Sequence, residues 1–219
     1  MSGSPFVRRT ELVLFEKSID YELIALSRDD GDLQTTEYLA KNPRGRVPVM
    51  EDGDLTLYES QAIVEYLEER YPAPTLIPKD FGDRGHMRVA EMECLIYFST
   101  ALTALARAVF MVAPENRDKD KVSSALHDVS LELDRLEQRG SSRGDVYLMG
   151  DNMTRVDLTW LPFVELVGRA GAGIDDKKYG WTKKWRSTLS ARPSYDTVSY
   201  THLRAHETEA DLVCRLLLE

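Results

Sequence analysis

Two serines stand where the chain turns into helix, the places in this sequence where an anion is easiest to hold. Ser4 directly precedes Pro5 and the amphipathic run VRRTELVLFEK at residues 7–17. A helix start offers unpaired N–H groups and the positive end of the helix dipole, so a hydroxyl there can help to stabilise a negative charge. Serine is equally the ordinary N-cap of a helix, and from the residues alone both readings stand. Glu59 and Ser60 sit at a second such junction, between the short run LTLY and the helical pattern AIVEYLEERY. There the hydroxyl and nearby N–H groups are suited to a carboxylate and Glu59 to an amino group, with a plain capping pair as the alternative. Arg46, just upstream, adds a guanidinium that can grip a carboxylate.

Other chemistry finds little support. Cys94 and Cys214 are the two cysteines, with no CxxC pair, and the histidines His86, His127, His202 and His206 are scattered. No metal site is expected from such spacing. Cys94 falls on the apolar face of a helical pattern and reads as a small buried hydrophobe. With 28 Lys and Arg against 37 Asp and Glu, the formal net charge is -9, which argues against nucleic acid as the main partner and leaves room for a local basic pocket for a small anion. A hydrophobic share of 42% supports packed cores and excludes global disorder. No run approaches the roughly 20 apolar residues that cross a bilayer, and the start has no signal-peptide core, so a cytoplasmic protein with reduced thiols is expected.

These candidates must be positioned by local elements. The pattern predicts a helix over 7–17, a strand over Tyr21–Leu26 and a short helix over 34–41. Two further strands are expected over Val47–Glu51 and Leu55–Tyr58, joined by the Asp52-Gly53 turn, and then a helix from Ser60 that ends before Pro72 and Pro74. The turn-rich stretch APTLIPKDFGD at 73–83 predicts a linker. Beyond it the period is helical: a long stretch over 84–112, and a second helix over roughly 119–139 that Gly140-Ser141-Ser142 breaks. A third, buried helix is opened by a Thr154/Asp157 capping box ahead of LTWLPFVELV. Trp160, Trp181 and Trp185 read as core anchors.

The stretch NPRGRVPVMEDGDLTLYESQAIVEYLEER at 42–70, together with SPFVRR at the start and the Thr154/Asp157 box, resembles the cytosolic glutathione transferases, especially the serine-using bacterial and phi-like classes. The resemblance covers most of residues 4–195. It implies a thioredoxin-like α/β domain over 1–76 and an all-helical domain over 84–197. The stretch LTLYESQAIVEYLEERYPAPTLIP also looks like stringent starvation protein A, which has this fold and binds RNA polymerase. A glutathione transferase and a non-catalytic adaptor of that kind are therefore both carried forward.

What the family implies is specific. Ser4, ahead of the Arg8-Arg9 pair, would donate to the glutathione sulfur and lower its thiol pKa. Val47-Pro48 resembles the cis-proline junction that lets the Val47 backbone pair with the cysteinyl unit. Ser60 would hold the γ-glutamyl carboxylate and Glu59 would face its amino group, while Arg46, where phi-like relatives usually carry glutamine, could still grip a carboxylate. Where relatives place a His or Lys for the glycyl carboxylate, this chain has Leu33 and then Gln34, so Gln34 or Lys41 would have to substitute. A pocket for the electrophile would be lined by Tyr97, Phe98, Ala101 and Leu105. Glutathione would be a co-substrate, no metal is needed, the second substrate would be a small electrophile, and a homodimer is expected.

The two ends depart from the family. Its fold places a strand before the first helix, yet three residues precede Ser4, so that strand is expected to be missing. From about Val198, the segment VSYTHLRAHETEADLVCRLLLE resembles translated adapter sequence, and 198–219 is expected to be a non-native tail with no function, an ordinary helical tail over DLVCRLLLE being the alternative.

Overall fold

The computed structural model describes residues 4–170 and 173–195, and the backbone of 212–218. Contacts divide the chain into two units. The first holds the residues up to Thr75 and those from Ser190 onward, the second Leu76–Leu189.

The first unit opens with helix α1, Pro5–Glu16, whose proline sits in the first turn, where no N–H is needed. Val7, Leu12, Val13 and Leu14 are buried on it. Strand β1 is Tyr21–Ser27. A 3₁₀ turn at Asp32–Gln34 and helix α2, Thr36–Lys41, replace the single helix expected over 34–41. Thr35 interrupts them in an extended conformation, and its hydroxyl caps α2 by accepting from the Tyr38 N–H at 3.2 Å. Strands β2, Val49–Asp52, and β3, Leu55–Tyr58, form the hairpin, with Val49 opposite Tyr58 and Asp52 opposite Leu55. Gly53 supplies the positive φ of 55° in the turn. The expected strand start at Val47 moves to Val49, since Pro48 has no N–H for a ladder; the Val47-Pro48 bond is cis. Helix α3, Ser60–Arg70, buries Ile63, Val64 and Leu67, and packs against α1.

The sheet has the order β1-β4-β2-β3, where β4 is Leu212–Leu218. The place next to β1 and β2 is therefore filled, by the C-terminal end of the chain. β4 runs antiparallel to β1, with Tyr21 opposite Leu218 and Ser27 opposite Leu212. It runs parallel to β2, with Val49 opposite Arg215 and Asp52 opposite Leu218. The physical reason is edge satisfaction: without a strand there, β1 and β2 would each present a row of unpaired N–H and C=O groups. The segment expected to be a tail without function thus supplies a strand, while residues 196–211 lie outside the described residues. Glu16 on α1 also receives Arg192, at 2.7 and 2.6 Å, and the Ser194 hydroxyl at 2.6 Å.

In the second unit, helix α4, Phe81–Met92, passes through a π-helical turn at Glu93–Phe98 into helix α5, Ser99–Val109. Ser99 and Thr100 donate their hydroxyls to the Leu95 and Ile96 carbonyls at 2.6 and 2.5 Å, which draws those carbonyls away from the helical ladder. This run is long and apolar enough to cross a membrane by length and composition, which the sequence reading did not anticipate. Its Met87, Ala90, Cys94, Phe98, Leu102 and Leu105 are buried, as in the core helix of a folded unit. Helix α6 is Lys119–Arg143, α7 is Arg155–Arg169 and α8 is Gly180–Ser190. Gly140 does not break α6; the helix continues to Arg143 and ends at Gly144, whose φ is 70°. The Thr154/Asp157 capping box is formed, with the Asp157 carboxylate also accepting from Leu148 N–H and Trp185 Nε1–H, both at 2.9 Å.

Candidate active site

Ser4 occupies the N-cap position of α1, with φ -65° and ψ 111°, yet its hydroxyl makes no capping bond. Its carbonyl takes the Arg8 N–H at 3.1 Å and so starts the helix. No carboxylate stands in the first turn, which leaves the positive end of the helix uncompensated by its own residues. Ser4 is half-buried. A side chain at that place which does not cap is available to a ligand.

The loop between α2 and β2 is fixed from its own sequence. The Arg46 carbonyl accepts both the Tyr38 hydroxyl and the Asn42 side-chain N–H, each at 2.7 Å, and Asn42 Oδ1 accepts from the Arg44 N–H at 3.0 Å. Those bonds hold the chain up to the cis Val47-Pro48 bond. Val47 packs against Leu33, Tyr38 and Val49, whereas the Arg46 side chain is exposed. Tyr38 and Asn42 were not among the expected site residues; the Asn42-Pro43-Arg44-Gly45 turn motif was their one signal in the sequence.

At the second junction Glu59 has φ 72° and ψ 110°, a left-handed backbone for a non-glycine residue, and its side chain is exposed. Strain of that kind costs about 1–3 kcal/mol and persists where surrounding structure imposes it, most often at functional sites. It delivers Ser60, 5% exposed, as the first residue of α3. Arg9 of α1 reaches across to this point: its Nη1 donates to Ser60 Oγ at 3.1 Å and its Nη2 to Gln61 Oε1 at 2.9 Å. Arg9 is 1% exposed. Sequence reasoning used Arg9 as a motif marker and missed this contact, which joins residues far apart in the chain.

The remaining expected residues are placed differently. Gln34 is exposed, and its amide nitrogen lies over Gly45, 2.8 Å from where a Cβ would stand. The Lys41 ammonium is already held by Glu37 at 3.3 Å and Glu51 at 3.4 Å. Of the four residues expected around an electrophile, Phe98 and Leu105 are fully buried in the second unit and Ala101 nearly so. Phe98 stacks on Trp160 at 5.2 Å between ring centroids. Tyr97, 61% exposed, is the accessible one of the four. Cys94 is buried, with its sulfur 3.9 Å from the Thr159 carbonyl oxygen. Among the described residues, no group of three or more His, Cys, Asp or Glu is arranged to hold a metal ion.

Residues 1–75 match the family "Glutathione S-transferase, N-terminal domain", and residues 101–193 match "Glutathione S-transferase, C-terminal domain". The chain is 32% identical over 200 residues to glutathione S-transferase 4 of Zea mays, which covers 90% of this chain and 88% of that protein. Among solved structures it resembles glutathione transferase F7 from Populus trichocarpa, with a TM-score of 0.79 and 27% identity over 90% of this chain and 94% of that one. It also resembles glutathione S-transferase-I bound with lactoylglutathione, with a TM-score of 0.78 and 26% identity over the same shares of the two chains.

Proposed function

The chain belongs to the glutathione S-transferase family, and we propose that it activates glutathione at Ser4 for attack on a small electrophile. Glutathione is the co-substrate. The Ser4 hydroxyl donates to the sulfur at the positive end of α1, which favours thiolate over thiol, and the thiol proton passes to solvent. The thiolate sulfur then forms the new C–S bond with its electron pair; the electrophile either releases a leaving group with the pair of the broken bond or, on addition, shifts its π pair and takes a proton from solvent. Holding two reactants together and stabilising the sulfur's charge supply the rate enhancement, with no chemistry asked of a metal.

The remainder of the site binds. The backbone of Val47, presented by the cis bond to Pro48, pairs with the cysteinyl unit as an added strand does. Ser60 and the first N–H groups of α3 take the γ-glutamyl carboxylate, and Glu59 takes its amino group. For the glycyl carboxylate, the exposed Arg46 and Gln34 fit better than Lys41, whose charge is already shared between Glu37 and Glu51. The protein works as a homodimer in the cytosol, as the family resemblance implies.

The observation that carries this reading is the Ser4 hydroxyl, which stands at a helix N-cap and does not cap. Ser4→Ala tests it. The variant should fold as the parent does, and should lose about a hundredfold in kcat with the pH profile of kcat/KM displaced upward. An unchanged profile would assign the activation elsewhere, and absence of conjugation by the parent would favour the adaptor reading.

A further inference from the structure

We infer that Arg9 is a positioning residue for glutathione, acting through Ser60; the inference rests on the proposed site and names a member the family resemblance did not supply. Arg9 and Ser60 are separated by 51 residues in sequence and meet in a buried contact at 3.1 Å. The chemistry of that contact is directional. Guanidinium has donors and no acceptor, whereas a serine hydroxyl has one donor and two acceptor sites. Ser60 Oγ therefore accepts from Arg9, and its own proton must point to a different acceptor. The contact turns Ser60 from a group that can donate or accept into one that presents a proton, which is what a carboxylate needs.

Charge and rigidity act in the same sense. Arg9 brings a full positive charge to the start of α3, whose first turn contains no acidic residue. Its second arm bonds Gln61 Oε1 at 2.9 Å, and Gln61 Nε2 continues to Glu65 Oε1 at 3.0 Å. Two successive residues of α3 are thus fixed by one planar group anchored in α1, the same helix that Ser4 opens. A lysine has a single nitrogen and cannot make both contacts with that geometry.

The test is a double-mutant cycle of Arg9→Met and Ser60→Ala, read by calorimetric binding of glutathione and of cysteinylglycine, which lacks the γ-glutamyl group. Each single change should weaken glutathione binding about tenfold. The double variant should bind no more weakly than Ser60→Ala alone, while cysteinylglycine binding stays at the parental level throughout. Additive losses, or an equal loss for both ligands, would overturn the inference and leave Arg9 a structural residue. Thermal melts separate the roles, because a packing defect at Arg9 lowers the midpoint in either background. If Arg9→Met does not fold, Arg9→Lys replaces it, with an intermediate loss confined to glutathione expected and an equal loss for both ligands again fatal. Full glutathione affinity in Ser60→Ala would remove the proposed γ-glutamyl site itself, a different failure from additivity.

Discussion

The ring of Trp181 lies directly on Gly140: a Cβ added to that glycine would come within 2.2 Å of the ring carbons. Trp181 is held there, donating its Nε1–H to the Asp145 carbonyl at 2.9 Å and its backbone N–H to Glu137 at 2.8 Å, and it stacks on Trp185. Intrinsic propensity favours alanine over glycine inside a helix by about 1 kcal/mol. Packing reverses the sign here, because overfilling a tight contact costs about 1–3 kcal/mol. Gly140→Ala should lower the urea midpoint, and the same change made with Trp181→Ala should raise it. A stabilising Gly140→Ala in the parent would show that the ring moves aside freely.

Asp157 links pH to stability. Its burial pushes the carboxyl above its ordinary value, against the opposing pull of donors from Leu148, Thr154 and Trp185. Where the folded value exceeds the unfolded one, the native state holds a proton that the unfolded chain has released. Stability tied to Asp157 is then fully present below the unfolded value, near pH 4, and is lost as pH rises through the folded value, by at most about 1.4 kcal/mol per unit. Asp157→Asn should remove that slope. It should also destabilise the unit by about 2–4 kcal/mol, because an amide NH2 cannot accept from the Thr154 N–H, whereas a carboxyl oxygen accepts in either protonation state. Unfolding curves of both proteins across this range check the two statements, and parallel curves would refute the first.

Ending the chain at Tyr195 removes β4 from between β1 and β2. A net value of about 0.5–1.5 kcal/mol per hydrogen bond, over a strand paired on both sides, is comparable to the about 5–15 kcal/mol stability of a whole protein. The shortened chain should lose its cooperative transition in the first unit and its glutathione binding with it. A shortened chain with the same melt and the same affinity would show that Leu212–Leu218 is dispensable, in keeping with an appended tail.

Glu59→Gly should separate stability from function. Glycine adopts a φ of 72° without the cost a side chain incurs, so the melt should rise, by about 1 kcal/mol of stability. Glutathione affinity should fall, since the carboxylate proposed to face the amino group is gone and the turn that leads into Ser60 is freer. Equal affinity in both proteins would mean that Glu59 serves backbone geometry alone.

Local chemistry was readable in the sequence because its causes are local. Proline at the start of α1, Asp52-Gly53 in the hairpin, the prolines after α3 and the Thr154/Asp157 box each fix an element from a few neighbouring residues. Candidate residues at helix starts, Ser4 and Ser60, were legible for the same reason. What the sequence left open are events set by distant partners. Gly140 remains helical because Trp181, 41 positions later (181 minus 140), needs its missing side chain. Phe98 is buried in step with Cys94 and Leu102 at a spacing of four, so its face was legible, whereas the Trp160 ring it stacks on was not. Arg9 found Ser60 only when α1 packed on α3. The empty place beside β1 was filled by the far end of the chain, since backbone groups need partners whichever segment supplies them, and in whichever direction it runs.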